Sequence, residues 1–390
     1  MTDKLRPVIV STFSPPALAC IRSWGRQGWE PGMICIRSEK EAKPASRHLY
    51  GWETLAPKKL HTEEGIQIIS HFLKNFKASG IISINEKISC WINDHRQMLP
   101  PETAVWLAEN SVFHQILSKQ KQIEVAKLTG MELLPTWLLD NNSKLPDIAS
   151  SFFPLCLRPS VPGGIMPPFK VHIVPSPEHL EKYLRHFDEI RKPIIAQPFM
   201  NLPNLVVHGT RTLTGNTIGL QGFLVDRKFE GVTLTIQPVD IPKTLQKQCI
   251  DFTEFFDLVG NYHFEFLFDP KTGKNWFLEI NNRLGGTTAK VYPCAYDEPA
   301  LALAAYGIPG NTHRKLKNIT VSSKTALLKY LWFTMKNRLT PLDYPAESAG
   351  AKVVKTLCGL FCYADDTLNL RDMKGTLAMF GGNLLSKLKK

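Results

Sequence analysis

The amino-acid sequence predicts a mixed α/β and α+β protein, with an open parallel sheet and its covering helices first and antiparallel sheet after it. Three observations carry this. Short apolar strands alternate with helical stretches over the first 110 residues. Several strands then follow one another with few helices between them. The length of 390 residues, 43% of them apolar, suffices for two to three domain cores. Charged residues at 21%, with 25 Gly and 28 Pro, exclude a disordered, collagen-like or coiled-coil chain.

Residues 7–12 read as a buried strand, 17–27 as a helix and 32–37 as a second strand; helix 65–77 and strand 80–85 continue the alternation. They define an N-terminal α/β unit over 1–110. Its first strand runs into Ser11-Thr12-Phe13-Ser14-Pro15-Pro16 rather than GxGxxG, and no GxxxxGK[ST] occurs, so neither a Rossmann site nor a P-loop is supported. In a small unit over 111–200, a helix at 113–129 ends at Gly130. Strand 153–159 then enters the turn Val161-Pro162-Gly163-Gly164, and 170–174 returns as its hairpin partner. A larger unit over 201–320 is dominated by strands at 205–214, 217–226, 231–237, 262–268 and 275–280, the pattern of an antiparallel sheet. The last 70 residues, 321–390, form an extension of alternating apolar and basic stretches. Within it, 327–338 reads as a basic amphipathic helix with two destinations, burial on the preceding unit or an anionic membrane surface.

Lys and Arg number 47 against 35 Asp and Glu, a net charge of +12 that favours anionic partners. No nucleic-acid-binding motif accompanies the basic residues, so nucleic acid is not expected. The eight cysteines show no CxxC spacing and the first 20 residues no signal-peptide core, which leads us to expect free thiols in the cytoplasm. Neither a GxSxG elbow nor a cysteine placed by a histidine supports covalent hydrolase chemistry.

The chemistry concentrates in the stretch from His263 to Arg283. Two apolar strands flank the turn Asp269-Pro270-Lys271-Thr272-Gly273, and antiparallel pairing brings Glu265 near Glu279. Alternation puts Asn281 on the same face as Glu279, so two carboxylates and an amide oxygen converge, the donor set that magnesium prefers. The alternative is that these acids are solvated and paired with Lys271, Lys274 or Arg283. The apolar neighbours Phe264, Phe266, Trp276 and Phe277 argue against it.

The segment Glu-Ile-Asn-x-Arg-Leu-Gly-Gly, Glu279 to Gly286, resembles the metal-binding end of the ATP-grasp superfamily, and the resemblance extends over roughly residues 1 to 310. It is similar in detail to the carboxylate-amine ligases of that superfamily, such as D-aspartate and D-alanine-D-alanine ligases. The resemblance implies an ATP-grasp fold with a preceding α/β domain, and ATP with Mg2+, or Mn2+ in its place, held between the small and large units. It implies Glu265, Glu279 and Asn281 as metal ligands and Arg283 as the cation facing the phosphoryl group. Arg158, in an Arg-Pro-Ser run like that of carbamoyl-phosphate synthetases, stands where most members have Lys, with Gly163 and Gly164 as the loop over the triphosphate. Lys119 matches the first ATP-contacting lysine, with Lys121 as the alternative. Gln197, Pro198, Phe199 and Met200 match the adenine-reading hinge, through the Pro198 carbonyl and Met200 amide. Asn204 stands where a ribose-binding Glu is usual. Lys170, and Arg227 or Lys228, are further phosphate or substrate-carboxylate candidates; Ser14, Asn85 and Glu86 are candidates for substrate choice, and His263 for a substrate or structural role.

The implied activity is amide-bond formation between a small-molecule carboxylate and an amine through an acylphosphate, on an amino-acid or cell-envelope substrate, by a weakly held homodimer. The alternatives are a nucleotide-binding protein without catalysis, suggested by Arg158, Pro198 and Asn204, and a bicarbonate-phosphorylating enzyme.

Overall fold

The computed structural model describes residues 4–140, 146–312 and 315–387. Five parallel strands form the first sheet, in the spatial order Gly51–Leu55, Gly32–Ile36, Pro7–Ser11, Gly80–Ser83, Ala104–Val105. Its central strands are buried along their whole length and apolar except for a terminal serine, Ser11 or Ser83, on two of them, as a sheet covered on both faces requires. The alternation thus appears as expected, with three additions, one of them the two-residue edge strand Ala104–Val105. Strand Gly51–Leu55 is only half buried and lacks a continuous apolar run, and helix Glu86–Asp94 starts on Asn85, whose side chain accepts from the Lys87 and Ile88 amides.

A four-stranded antiparallel sheet follows, in the order Trp137–Leu139, Ile194–Pro198, Leu155–Pro159, His172–Val174. The third sheet has seven strands, ordered Asn275–Asn281, Gly260–Phe268, Asn204–Arg211, Thr217–Phe229, Val232–Val239, Val321–Ser322 and Ala364–Asp365. The last two come from the extension, which therefore completes this sheet.

The single helix expected over 113–129 is two helices, Asn110–Leu117 and Lys119–Leu128. Ser118 between them is extended at ψ 105 and its hydroxyl caps the second helix by accepting from the Lys121 amide. A serine competes for backbone hydrogen bonds in this way, and apolar periodicity alone does not reveal the break. Both helices pack beneath the seven-stranded sheet: Phe113, Ile116 and Val125 share a core with Phe252, Phe264 and Phe277.

The extension is fastened at several points. In helix Lys324–Met335, Leu327 and Tyr330 are buried against Phe229 and Leu234. Lys290 pairs with Asp366 at 2.5 Å, and Arg22 of the first helix, Pro15–Arg26, pairs with Asp372 at 2.8 Å, both pairs buried. Of the two destinations foreseen for the 327–338 helix, burial holds for one face.

Candidate functional site

The site grows from the hairpin of strands Gly260–Phe268 and Asn275–Asn281. Its register sets Glu265 opposite Glu279 and His263 opposite Asn281, so these four side chains share a face. The opposite face carries Phe264, Phe266 and Phe277, packed on Phe252 of helix Lys243–Phe255. The aromatic core fixes the hairpin, and the fixed hairpin presents Glu265 and Glu279 to a cavity of about 910 Å³.

Two cations meet Glu279. The Lys119 ammonium donates to its carboxylate, and Arg158 Nη1 lies 3.9 Å from the same oxygen. The break at Ser118 makes this possible. Lys119 opens its helix, its amide donates to Ser160 O at 2.9 Å, and it is thereby tied to the strand that carries Arg158. From the next turn Gln122 accepts from the Ile280 amide at 3.0 Å and donates to the Ile280 and Ile116 carbonyls at 3.1 and 2.6 Å. This buried clamp, unforeseen in the sequence although a polar residue stands on an apolar helix face, locks the Lys119 helix to the Glu279 strand. Gln122→Leu strands a buried amide and carbonyl, and is expected to cost about 2 kcal/mol in a urea unfolding series. An unchanged midpoint would remove the clamp from the account.

Glu265 is met by Asn204 Nδ2 at 3.5 Å, and Asn204 Oδ1 accepts from Lys228 Nζ at 3.0 Å. Burial, and next the Glu279 charge, push the Glu265 carboxyl up, against Lys119, Arg283 and Arg158. Burial opposes charge on Glu279 as well, but Lys119 and Arg158 outweigh it and hold that carboxyl well below its ordinary value. Asn281 Nδ2 lies 3.4 Å from Glu279, and its Oδ1 accepts from Arg283 at 3.2 Å. Two facing, half-buried carboxylates on a cavity wall, one of them driven toward its neutral form by burial and by the charge of the other, fit a hard divalent cation such as Mg2+ or Mn2+.

The remaining sequence candidates divide. Lys119, Arg158, Gly163, Lys170, Gln197, Pro198, Phe199, Met200, Asn204, Lys228 and Glu86 line the cavity. Gly163 is left-handed at φ +78 with open space where a Cβ would stand. Gly164 is turned inward. Its amide donates to Val161 O at 3.2 Å and its carbonyl accepts from Arg191 and Lys192. Lys121 points away, pairing with Glu124 at 3.4 Å and lying over the Phe255 ring. Lys228 faces the cavity, its ammonium pushed down to about 8 by burial. Arg227, one residue earlier on the strand, does not; it lies over the Tyr330 ring and pairs with Glu347 at 3.7 Å. Arg283 and Asn281 stand behind the two carboxylates rather than on the cavity wall, where the Arg283 guanidinium also donates to Leu284 O at 3.2 Å. Asn85 is spent as a helix cap, and Ser14 lies at the start of the first helix outside the cavity wall.

The hinge carries a detail that spacing does not show. Gln197 accepts from Arg158 at 2.6 Å and donates to Thr136 at 2.9 Å, so its side chain orients the guanidinium. The Phe199 amide is taken by Pro154 O at 2.8 Å. The extension also reaches this end. Asn201 Nδ2 donates to the Pro341 and Asp343 carbonyls at 2.9 and 3.1 Å, and Leu342 between them forms part of the wall. His263 lies behind Glu265, its Nε2 3.9 Å from that carboxylate and its ring stacked on His208; burial, then His208 and Arg283, depress its basicity, so it is neutral. His208 in turn bonds Glu298 at 2.9 Å.

No protein-family model matches the chain, and no curated protein matches it. Solved structures do resemble it. An ADP complex of the N5-carboxyaminoimidazole ribonucleotide synthetase PurK aligns at a TM-score of 0.62 and 11% identity, over 86% of this chain and 84% of that one. An L-amino acid ligase from Bacillus licheniformis aligns at 0.59 and 14%, over 82% and 79%. The biotin carboxylase domain of 2-oxoglutarate carboxylase from Hydrogenobacter thermophilus, a dimer solved with MgADP, ADP and bicarbonate, aligns at 0.61 and 14%, over 82% and 74%.

Proposed function

We propose that this chain, which has the ATP-grasp fold of those enzymes, is an ATP- and Mg2+-dependent ligase that joins a small-molecule carboxylate to an amine. One observation carries the reading: Glu265 and Glu279 face each other in the large cavity, with Lys119 and Arg158 converging on Glu279.

The nucleotide lies with adenine toward the Pro198–Met200 hinge and its phosphates toward Lys119, Arg158 and Gly163. The Met200 amide reads the base, since the Phe199 amide is committed to Pro154. Lys119 and Arg158 then turn part of their charge to the phosphates, Arg158 as a flat fork held by Gln197 and suited to two phosphate oxygens. Glu265 and Glu279, with the Asn281 amide set behind them, would hold the divalent ion, which would supply positive charge to the transferring phosphoryl group. Arg283 keeps Asn281 turned and adds positive potential behind the transferring group. The substrate carboxylate attacks the γ-phosphorus, ADP leaves, and the acylphosphate is opened by the amine with release of phosphate. The chain's part is positioning and charge neutralisation rather than covalent chemistry.

An ¹⁸O-labelled substrate carboxylate, found by screening ADP release over pooled acids and amines, is expected to deliver one label to the released phosphate. Unlabelled phosphate would exclude the acylphosphate route, and ATP binding without turnover over the whole panel would favour a non-catalytic nucleotide-binding protein. Leu342→Ala removes a half-buried apolar contact at the nucleotide end of the cavity and is expected to weaken ATP binding about fivefold, equivalent to about 1 kcal/mol. An unchanged dissociation constant would place the base elsewhere.

A further inference from the structure

Among the described residues, nineteen large apolar side chains are exposed, and ten of them lie between Leu328 and Leu377, about an eighth of the chain. Scattered exposure of this kind is ordinary; such concentration is not. It is also ordered. On helix Lys324–Met335 the exposed Leu328, Trp332 and Met335 recur at i, i+4 and i+7, a single stripe turned from the buried Leu327 and Tyr330. On helix Ala349–Cys362 the exposed Val354, Leu357 and Phe361 recur at i, i+3 and i+7. The two helices are joined where Lys324 Nζ donates to the Gly359, Leu360 and Tyr363 carbonyls. Phe361 is 87% exposed, and Leu370, just beyond this pair, is 81% exposed.

The charges around these stripes are sorted by sign. The extension holds eleven Lys and Arg against five Asp and Glu, and every one of the five acids is committed inward. Asp343 accepts from the Glu230 and Thr340 amides, and Glu347 pairs with Arg227 and Lys355. Asp365 accepts from the Lys324, Thr367 and Leu368 amides, while Asp366 and Asp372 form the buried pairs with Lys290 and Arg22. None of the five is exposed, whereas Lys336, Arg338, Arg371 and Lys374 are. Among its exposed charged residues the extension therefore presents cations and no acid of its own.

We propose that this outer face, over residues 324–377, docks on an anionic lipid bilayer. Apolar stripes long enough to enter the headgroup boundary, flanked by an excess of cations, match a negatively charged interface. Its rim carries two paired charges, Lys329 with Glu230 and Lys355 with Glu347, whereas Lys336, Arg338, Arg371 and Lys374 are exposed in excess of acids, the balance that an anionic surface favours over a protein partner of mixed charge. No described helix is long and apolar enough to cross a membrane, so the contact is peripheral. The inference goes beyond the ligase reading and does not depend on it.

The test is co-sedimentation of the full chain with vesicles of phosphatidylcholine, with and without one third phosphatidylserine. The chain is expected to sediment with the anionic vesicles, less so in high salt, and weakly with the neutral ones. Trp332→Ser with Phe361→Ser, both exposed positions, should lower anionic-vesicle affinity by roughly tenfold or more, and Lys336→Glu with Lys374→Glu by a similar factor, at unchanged melting temperature. Absence of binding by the wild type, or equal binding by both double variants, would overturn the proposal. So would a wild-type dimer in sedimentation velocity that the Trp332→Ser, Phe361→Ser variant reduces to a monomer, because the face would then belong to a second copy of the chain.

Discussion

Glu279→Gln is expected to lower ADP formation on the order of 10³-fold while leaving the fold intact. The substitution keeps the shape of the side chain and removes the charge on which Lys119 and Arg158 converge. Both cations then lose their shared anchor, and the facing Glu265 becomes the only carboxylate of the pair. An uncharged amide binds a hard divalent ion more weakly than a carboxylate does, and the ion's positive charge is needed most when the γ-phosphoryl group transfers. Because Lys119 is partly exposed, water solvates its freed ammonium, so the melting temperature should fall by far less than the activity. Undiminished ADP release by this variant would overturn the site.

Asp372→Ala should have the largest effect on stability, about 3–5 kcal/mol by chemical denaturation, since it leaves the Arg22 guanidinium buried and unpaired. Ser46 and the Arg47 amide lose the same acceptor, so the contact of the parallel-sheet unit and the first helix with the extension is weakened to the remaining bonds of Arg22 and Arg47 to its carbonyls and Thr376. The pair also has a pH signature. Burial alone would raise the Asp372 carboxyl, but the Arg47 amide, Arg22 and Ser46 outweigh it and hold it below its ordinary value. A carboxyl depressed on folding contributes stability that is complete above its unfolded pKa of about 3.9 and is lost as pH falls through the lower folded value. The wild type should therefore lose this stability below about pH 4, and Asp372→Asn should show a flatter acid limb. Superimposable acid limbs would mean that the pair contributes nothing.

How much of this was legible in the sequence depends on what each feature needed. The parallel unit and the late antiparallel strands follow from apolar period and turn residues, and the Glu265–Glu279 pairing follows from counting across one turn. Features set by local competition or by long-range contact did not appear. Ser118 divides a helix because its hydroxyl caps the next one. Gly163 and Gly164 look alike in sequence, yet one faces the cavity and the other spends its backbone on the turn. Arg227 and Lys228 were interchangeable until strand pairing fixed which side each takes. Gln122 and Leu342 meet the site from residues far away in the chain, and only the assembled sheet brings them there. The extension was open between burial and exposure because its helices do both, one face on the sheet and one outward.

The central claim is that Glu265, Glu279 and Asn281 hold a divalent ion against the terminal phosphates of a nucleotide. Its most direct test is Mn2+ binding, followed by the loss of the free-ion EPR signal in the presence of a non-hydrolysable ATP analogue. The wild type and a Lys121→Ala control should take up the ion with the same affinity, and Glu265→Gln with Glu279→Gln should weaken that affinity by at least tenfold. Equal Mn2+ affinity in the wild type and the double variant would contradict the claim.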